Sequence, residues 1–575
     1  MNKVVIKDLL KYLKKQYLLI LLSLILSIIS VISSLYIPVI IGNIIDLLIG
    51  KDLVNINLVM TLIFRIIICI IISLFAQYFL SIINNHIVYK TIGDIRYDLF
   101  SHIQNLPIKY IDSKGHGQIE NIAVNDIDQA SEGLLLSFNQ FFSSITTIII
   151  TIFYMFTINT STTLIVILLT PIALIVSRFI TSRTYNLFSK QSKLRGLQSE
   201  YIEEMINGQK VVQAYLYQDS SQKQFNDIND DLTNTSIKAI FFSSLVNPST
   251  RLVNGIIYGI ITLNGSLSII KGLLTVGELT SFLAYANQYN KPFNEISGII
   301  SELQNSFACL NRVFDLLKVE KEIDYEGDNY LDRVKGDVSF NDVDFSYTDN
   351  PFIEDLNINL KKGQRVALVG PTGCGKTTII NLLMRFYDPN KGNITIDGID
   401  ISDIRKTNLR QNIGMILQDT WLKQGTIKEN ISIGKVDASD EEIIEAAKKG
   451  HAHSFIMRLP NGYDTYIKEN GEGLSQGEKQ LLCISRLMLS LPPILILDEA
   501  TSSIDTRTEL KIQDSFATLM KNKTSFIVAH RLSTIKEADL ILVMKDGKII
   551  EKGNHDELIK HDGFYKELYY SQLDL

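Results

Sequence analysis

The sequence predicts an α-helical membrane domain followed by an α/β phosphate-loop domain, and three observations carry that prediction. Apolar stretches long enough to cross a hydrocarbon core, which takes roughly 20 residues of helix, recur before about residue 310 and are absent from Val338 onward. Gly370, Pro371, Thr372, Gly373, Cys374, Gly375, Lys376 and Thr377 follow the apolar run Arg365 to Val369 and precede the apolar-periodic stretch Ile379 to Met384. Strand, glycine loop and helix are the context in which G-x-x-x-x-G-K-[ST] binds phosphate. Ile494 to Leu497 is apolar and ends in Asp498 and Glu499, the form of a buried strand that delivers acids to its C-terminal edge. At 575 residues the chain exceeds one ordinary domain.

Taken in order, residues 1–16 place five lysines among apolar residues, which suits an interfacial elbow helix. The run from Tyr17 to Ile41 is too long for a signal-peptide core and reads as the first span. Leu58 to Ile87 is the second. No charged residue occurs between Glu132 and Arg178, and the turn residues Asn159 to Ser161 divide that run into a third and a fourth span. Ala239 to Ile270 and Leu279 to Ile300 make six spans in a membrane domain of residues 17–317. A charged linker follows at 318–337, then the nucleotide-binding domain at 338–575.

Lys90, Arg96, Lys109 and Lys114 lie between spans two and three, and seven further Lys or Arg residues lie between spans four and five. The opposite loops offer only Lys51 and Lys271, so the positive-inside rule predicts a multi-pass cytoplasmic-membrane protein with both termini and the nucleotide site cytosolic. Four scattered cysteines imply neither a disulfide framework nor a zinc site. The small net charge of −6 says nothing about nucleic acid, and no nucleic-acid partner is expected.

The phosphate loop supplies backbone N–H groups and a helix N-terminus for one anion. Lys376 adds a charge for the β- and γ-phosphates, and the Thr377 hydroxyl is placed to ligate Mg²⁺. In a phosphate-loop ATPase the first acid, Asp498, holds the Mg²⁺ and the second, Glu499, polarises the attacking water. The expected cofactors are therefore ATP and Mg²⁺.

Upstream stands Leu474-Ser475-Gln476-Gly477-Glu478, which opens a helix continuing through Leu481 to Ser485. With these motifs in this order, nearly the whole chain resembles an ATP-binding cassette exporter half-transporter of the bacterial multidrug type. The resemblance implies that Tyr347 stacks on adenine, that Thr378 belongs to the nucleotide loop, and that Gln418 touches Mg²⁺ and water. It implies that Leu474 to Glu478 form the signature acting on a partner's ATP, with Ser475 and Gly477 reaching the γ-phosphate. Asp505 matches the loop that joins two cassettes, and His530 the switch histidine. One cassette and six spans then require a second half-transporter. Tyr110 to Gly117 with Asn125 to Asp128, and Asn207 to Tyr215, match the family's two coupling segments.

The family signature is most often L-S-G-G-Q, so Gln476 and Glu478 depart from it, while Asp498, Glu499 and His530 are intact. That asymmetry favours a heterodimer over a homodimer. Polar residues at helical spacing sketch a substrate path: Asn247, Arg251 and Asn254 with Ser243 and Tyr258 on the fifth span; Tyr285, Gln288 and Lys291 with Asn287, Tyr289 and Asn294 on the sixth; Gln77, Ser81 and Asn84 on the second. The competing expectation is that these groups bond between helices. Cys374, inside the phosphate loop, is expected to react with thiol reagents unless ATP protects it. The implied activity is ATP-driven export of an amphipathic or hydrophobic drug, lipid or peptide in contact with membrane lipid. An importer of the same fold and a ligand-sensing membrane ATPase are the alternatives.

Overall fold

The computed structural model describes residues 3–49, 55–322, 324, 330–331, 334–348, 350–417, 420–468, 471–498, 504–528 and 535–573. It divides into two units: Met1–Gln104 with His116–Val319, and Asn105–Gly115 with Glu320–Leu575. The short segment 105–115 thus belongs with the second unit.

The first unit is helical. An amphipathic α1 (Lys3–Leu13) precedes α2 (Tyr17–Ile49), and α3 (Ile56–Ile103) starts where the Asn55 side chain accepts from the Leu58 N–H. The second unit's α4 (Ile108–Lys114) follows in sequence. The first unit resumes with α5 (His116–Asn121), a π-turn at Ile122–Asp126 and α6 (Ile127–Ile158). The chain breaks at Asn159, whose extended backbone (φ −157°, ψ 112°) and side chain cap α7 (Thr160–Asn207) through the Thr162 N–H at 2.9 Å. That is the division expected between the third and fourth spans.

After the short α8 (Gln209–Ala214), α9 (Gln218–Ser244) runs back along α7, held by Gln191 to Ser236 and Gln198 to Asn229 hydrogen bonds. Then come α10 (Val246–Ile270) and α11 (Val276–Leu317), the latter opened by a Thr275–Glu278 capping box. Among the described residues, Val4–Ile49, Ile56–Ile103, His116–Ile158 and Arg251–Ile270 are long and apolar enough to cross a membrane. The fourth expected span falls on the shorter apolar stretch Thr160–Ile172, and the sixth on α11, which Gln288, Lys291 and Glu295 interrupt.

Small residues let these helices meet closely. A Cβ on Gly277 would lie 2.0 Å from the Gly42 carbonyl oxygen, so α2 and α11 touch backbone to backbone. The Asp46 carboxylate fastens that contact, accepting from the Thr275 hydroxyl at 2.6 Å and the Gly277 N–H at 2.7 Å. Farther along, Arg312 on α11 donates twice to the buried Asp126 carboxylate, at 2.7 and 2.6 Å, beside the π-turn.

In the second unit a four-stranded antiparallel sheet has the order β2-β1-β4-β5, from β1 (Val338–Phe345), β2 (Ile353–Leu360), β4 (Lys391–Ile396) and β5 (Ile399–Asp400). A six-stranded sheet has the order β12-β11-β3-β10-β9-β6, from β3 (Arg365–Val369), β6 (Ile413–Ile416), β9 (Ile494–Asp498), β10 (Thr524–Val528), β11 (Leu540–Lys545) and β12 (Lys548–Gly553). A two-stranded pair joins β7 (Gly425–Thr426) to β8 (Tyr466–Ile467). β11, β3, β10, β9 and β6 are mutually parallel, and β12 is antiparallel to β11.

These parallel strands are buried on both faces, which is why they read as continuous apolar runs. Alternate residues enter opposite cores. Ala367, Val369, Leu495 and Leu497 pack with the helices on one side, and Val366, Leu368, Ile494 and Ile496 pack with the antiparallel sheet on the other. All five parallel strands therefore end at one edge, where ligands bind in such sheets.

Candidate functional site

At that edge β3 passes into the glycine loop and then α12 (Lys376–Leu383). Gly375, the residue before α12, has φ 106°, and Gly370 approaches β11 so closely that a Cβ would lie 2.3 Å from the Met544 carbonyl oxygen. Only glycine suits either position. The Lys376 ammonium folds back over the loop and donates to the carbonyl oxygens of Gly370 at 2.7 Å and Pro371 at 2.9 Å. A phosphate entering the loop would take the place of those carbonyls.

Cys374 is 3% exposed and packs in the core, with its sulfur 3.8 Å from the Lys376 ammonium. The expected thiol reactivity is corrected here, because a sulfur so deeply buried gives alkylating reagents no approach.

Thr377 is exposed at the start of α12, while Thr378 is buried and accepts from the Tyr347 hydroxyl at 3.1 Å. Tyr347 keeps an exposed face and stands edge-on to Phe345 and to Tyr387, with centroids 4.8 and 5.1 Å apart. The Tyr387 hydroxyl donates to Asp112 of α4 at 2.7 Å. Burial first, and then this carboxylate, push the Tyr387 phenol pKa well above its ordinary value. The aromatic expected beneath adenine is thus one ring away from a residue that holds α4.

Asp498 closes β9, pairs in register with Val528 of β10 and is 9% exposed. The donors that Thr377 and Asp498 offer are oxygens, as a hard cation such as Mg²⁺ requires. Among the described residues no cluster of three or more His, Cys, Asp or Glu forms a separate metal centre. Gln418, Glu499 and His530 lie outside the described residues; the strands preceding them are β6, β9 and β10, which are neighbours in the sheet.

Ser475 caps the helix Gln476–Ser490. Its hydroxyl accepts from the Glu478 N–H at 3.3 Å and donates to the Glu478 carboxylate at 3.0 Å, which also accepts from the Ser475 N–H. Glu478 therefore completes a capping box. Gln476 is exposed and donates to the Thr420 hydroxyl at 3.3 Å, a tie to the segment after Gln418 that sequence reading did not foresee. Leu474 packs against the core. A Cβ on Gly477 would lie 2.5 Å from the Thr508 methyl group, so glycine lets this helix rest on Thr506–Met520. Asp505 caps that second helix through the Thr508 N–H at 2.9 Å, a bond that holds its carboxyl below the usual range.

In the first unit a cleft of about 560 Å³ lies between α2, α3, α6 and α11. Gln77, Gln288 and Lys291 line it, and Ser81 lines its continuation. The structure differs from the expected path in three respects. Tyr285 is fully buried, stacked on Tyr154, with its hydroxyl donating to the Leu35 carbonyl; it packs α2 against α11. Asn84 is also fully buried, bonded to Ser23 and Asn139. Arg251 and Asn254 stand on α10, which contributes no residue to the cleft among the described residues, and the Asn247 side chain lies outside them. The serines of α2 and α6 supply the lining that was missed; Ser23, Ser27, Ser30 and Ser34 fall on one helical face, a spacing already present in the sequence.

Family comparison agrees with this layout. Residues 20–293 match the ABC transporter transmembrane region, and residues 353–502 match the ABC transporter family. The chain is 40% identical over 567 residues to an uncharacterised ABC transporter ATP-binding protein, YfiC, of Bacillus subtilis (strain 168), covering 98% of this chain and 93% of that one. It is 41% identical over 485 residues to a fatty acid ABC transporter ATP-binding/permease protein of Mycobacterium tuberculosis, covering 84% and 77%. A solved bacterial Atm1-family ABC exporter with ATP bound superposes with a TM-score of 0.78 at 26% identity, covering 97% and 98% of the two chains.

Proposed function

Because this chain belongs to the ATP-binding cassette transporters, as a multi-pass half-transporter with membrane region and ATPase domain fused, we propose that it exports amphipathic or hydrophobic compounds across the cytoplasmic membrane by alternating access. ATP binding and its hydrolysis coupled to transport are the family's activity, and a half-transporter works as a dimer. Export is supported by the exporter architecture of the solved neighbour, and an amphipathic substrate by the fatty acid transporter among the relatives.

In this reading the loop amides and Lys376 hold the phosphates, Tyr347 carries adenine, and Thr377 and Asp498 hold Mg²⁺ with Gln418. Mg²⁺ supplies charge neutralisation on the phosphates when bound. Glu499 orients and polarises the attacking water, and His530 holds the γ-phosphate. The positive-inside distribution of Lys and Arg supports cytosolic termini.

The observation that carries the dimeric reading is the exposed N-terminus of Gln476–Ser490, where Ser475 is capped by its own Glu478. Such a terminus attracts an anion, which a second cassette's ATP supplies. Here the Ser475 hydroxyl already points at a carboxylate, so reaching a γ-phosphate costs that bond and meets negative charge. This weakened signature beside intact catalytic acids supports a heterodimer, with a partner half-transporter providing the better signature for Glu499.

Inside-out membrane vesicles test the whole reading: ATP-dependent accumulation of a fluorescent amphiphile, lost in Glu499→Gln, is expected with the partner co-expressed. Hydrolysis without movement would instead favour a sensor, and ATP-driven loss from the lumen an importer. A stable dimer with brisk turnover from the chain expressed alone would overturn the heterodimer.

A further inference from the structure

The cleft of the first unit has a lining that a purely hydrophobic substrate does not need. Lys291 and Glu295 stand one turn apart on α11, and charges within a membrane region are kept where they face water or do chemistry. Their contact is loose, with Nζ 3.8 Å from Oε1, longer than a hydrogen bond. The Lys291 side chain is 79% exposed, so its ammonium faces open space, whereas Glu295 is steadied by the Ser144 hydroxyl at 3.1 Å.

Hydroxyls and amides from the other three helices surround the pair, among them Ser30, Gln77 and Asn139. Some of these groups serve helix packing, as Ser30 does toward Ser73 at 3.3 Å. Ser27 does not: it lines the continuation of the cleft, is 1% exposed, and its hydroxyl has no hydrogen-bond partner among the described residues. A cleft of about 560 Å³ lined by these charges, hydroxyls and amides has room and polar partners for an occupant. Its size is that of a small-molecule site.

We propose that this cleft binds a zwitterion whose anionic and ammonium groups lie close together, the anion on Lys291 and the ammonium on Glu295, with the serine and amide side chains taking a hydrogen-bonding body. An α-amino-acid head on an amide-linked chain has this chemistry, and so has the headgroup of a zwitterionic lipid. The inference deepens the export reading by naming the polar end of the amphipathic substrate.

The probe is radiolabelled Nε-octanoyl-lysine, whose free α-amino and carboxyl groups supply the zwitterion. Equilibrium binding to the full-length protein in phosphatidylglycerol nanodiscs without nucleotide keeps the measurement independent of hydrolysis and transport direction. Saturable binding is expected, and the Nα-acetyl and methyl-ester analogues, each with one charge, bind roughly tenfold or more weakly. Lys291→Gln and Glu295→Gln each weaken binding similarly, and the reversed pair K291E/E295K binds better than either single variant. Weaker probe binding in phosphatidylethanolamine discs identifies the lipid headgroup as occupant, and equal binding a free solute. Absence of saturable binding, equal binding of the single-charge analogues, or unchanged binding in both single variants overturns the proposal, even where vesicle transport of another amphiphile succeeds.

Discussion

Replacing Tyr387 by Phe removes one hydroxyl from the contact that holds α4 on the ATPase fold. The ring, and its edge contacts with Phe345 and Tyr347 at 5.7 and 5.1 Å, are kept. What is lost is a phenol-to-carboxylate bond of 2.7 Å to Asp112. Hydrogen bonds to charged groups contribute about 1.5–3 kcal/mol, and because Asp112 is exposed the appropriate figure is about 1 kcal/mol. Burial first, and then Asp112, raise the phenol pKa further above the physiological range, where the hydroxyl is a donor in any case. The Glu322 N–H to Asn105 carbonyl bond, 2.7 Å, remains as a second tether, so α4 should open locally rather than detach. About 1 kcal/mol corresponds to roughly fivefold faster amide hydrogen exchange in residues 108–115. Hydrogen exchange by mass spectrometry reads this directly. Asp112→Asn should produce a similar change, and the double variant should add little to either. Unchanged exchange in both single variants, or acceleration spread evenly over the sheet, would refute the reasoning.

Gly370→Ala places a Cβ against the Met544 carbonyl oxygen at 2.3 Å, costs about 1–3 kcal/mol and deforms the loop; fluorescent-nucleotide titration should show lost binding while circular dichroism keeps the fold. Arg312→Met strands the Asp126 carboxylate, whose side chain is only 5% exposed, and with Arg312 itself 47% exposed the expected loss is about 2 kcal/mol in thermal unfolding. The double variant with Asp126→Asn should recover part of it. Burial would raise the Glu322 carboxyl pKa, but Arg410 and Lys406 outweigh it and hold it below its ordinary value of 4.5. Its stabilisation is therefore present above that value and lost as pH falls through the lowered one, so the melting-temperature gap between wild type and Glu322→Gln should close under acid.

Elements whose signal is local were legible in the sequence. The helix break at Asn159 needed only a capping side chain between two apolar runs, and β3, the glycine loop and α12 needed only adjacent residues in one order. The resemblance to cassette transporters rested on such local motifs and agrees with the family comparison. Contacts between distant residues were not legible: Tyr387 and Asp112 are 275 positions apart, and neither belongs to a motif that names the other. Tyr285 shows how periodicity misleads, since its place on a polar helix face matched a cavity while its hydroxyl in fact reaches the Leu35 carbonyl. The serines of α2 failed in the opposite sense. A serine in an apolar helix reads as packing, and only the cleft beside Ser30 and Ser34 distinguishes lining from contact. Cys374 failed in a further way: its place inside a phosphate-loop motif says nothing of burial, and its side chain is 3% exposed in the core.

The central claim is that one copy of this chain cannot complete an ATP site. Nanodiscs prepared to hold a single chain, compared with discs holding this chain beside its partner half-transporter, test it most directly through phosphate release. The account predicts no turnover above background from single-chain discs, and turnover from two-cassette discs that Glu499→Gln abolishes. Steady, Glu499-dependent turnover from discs verified to contain one chain would contradict it.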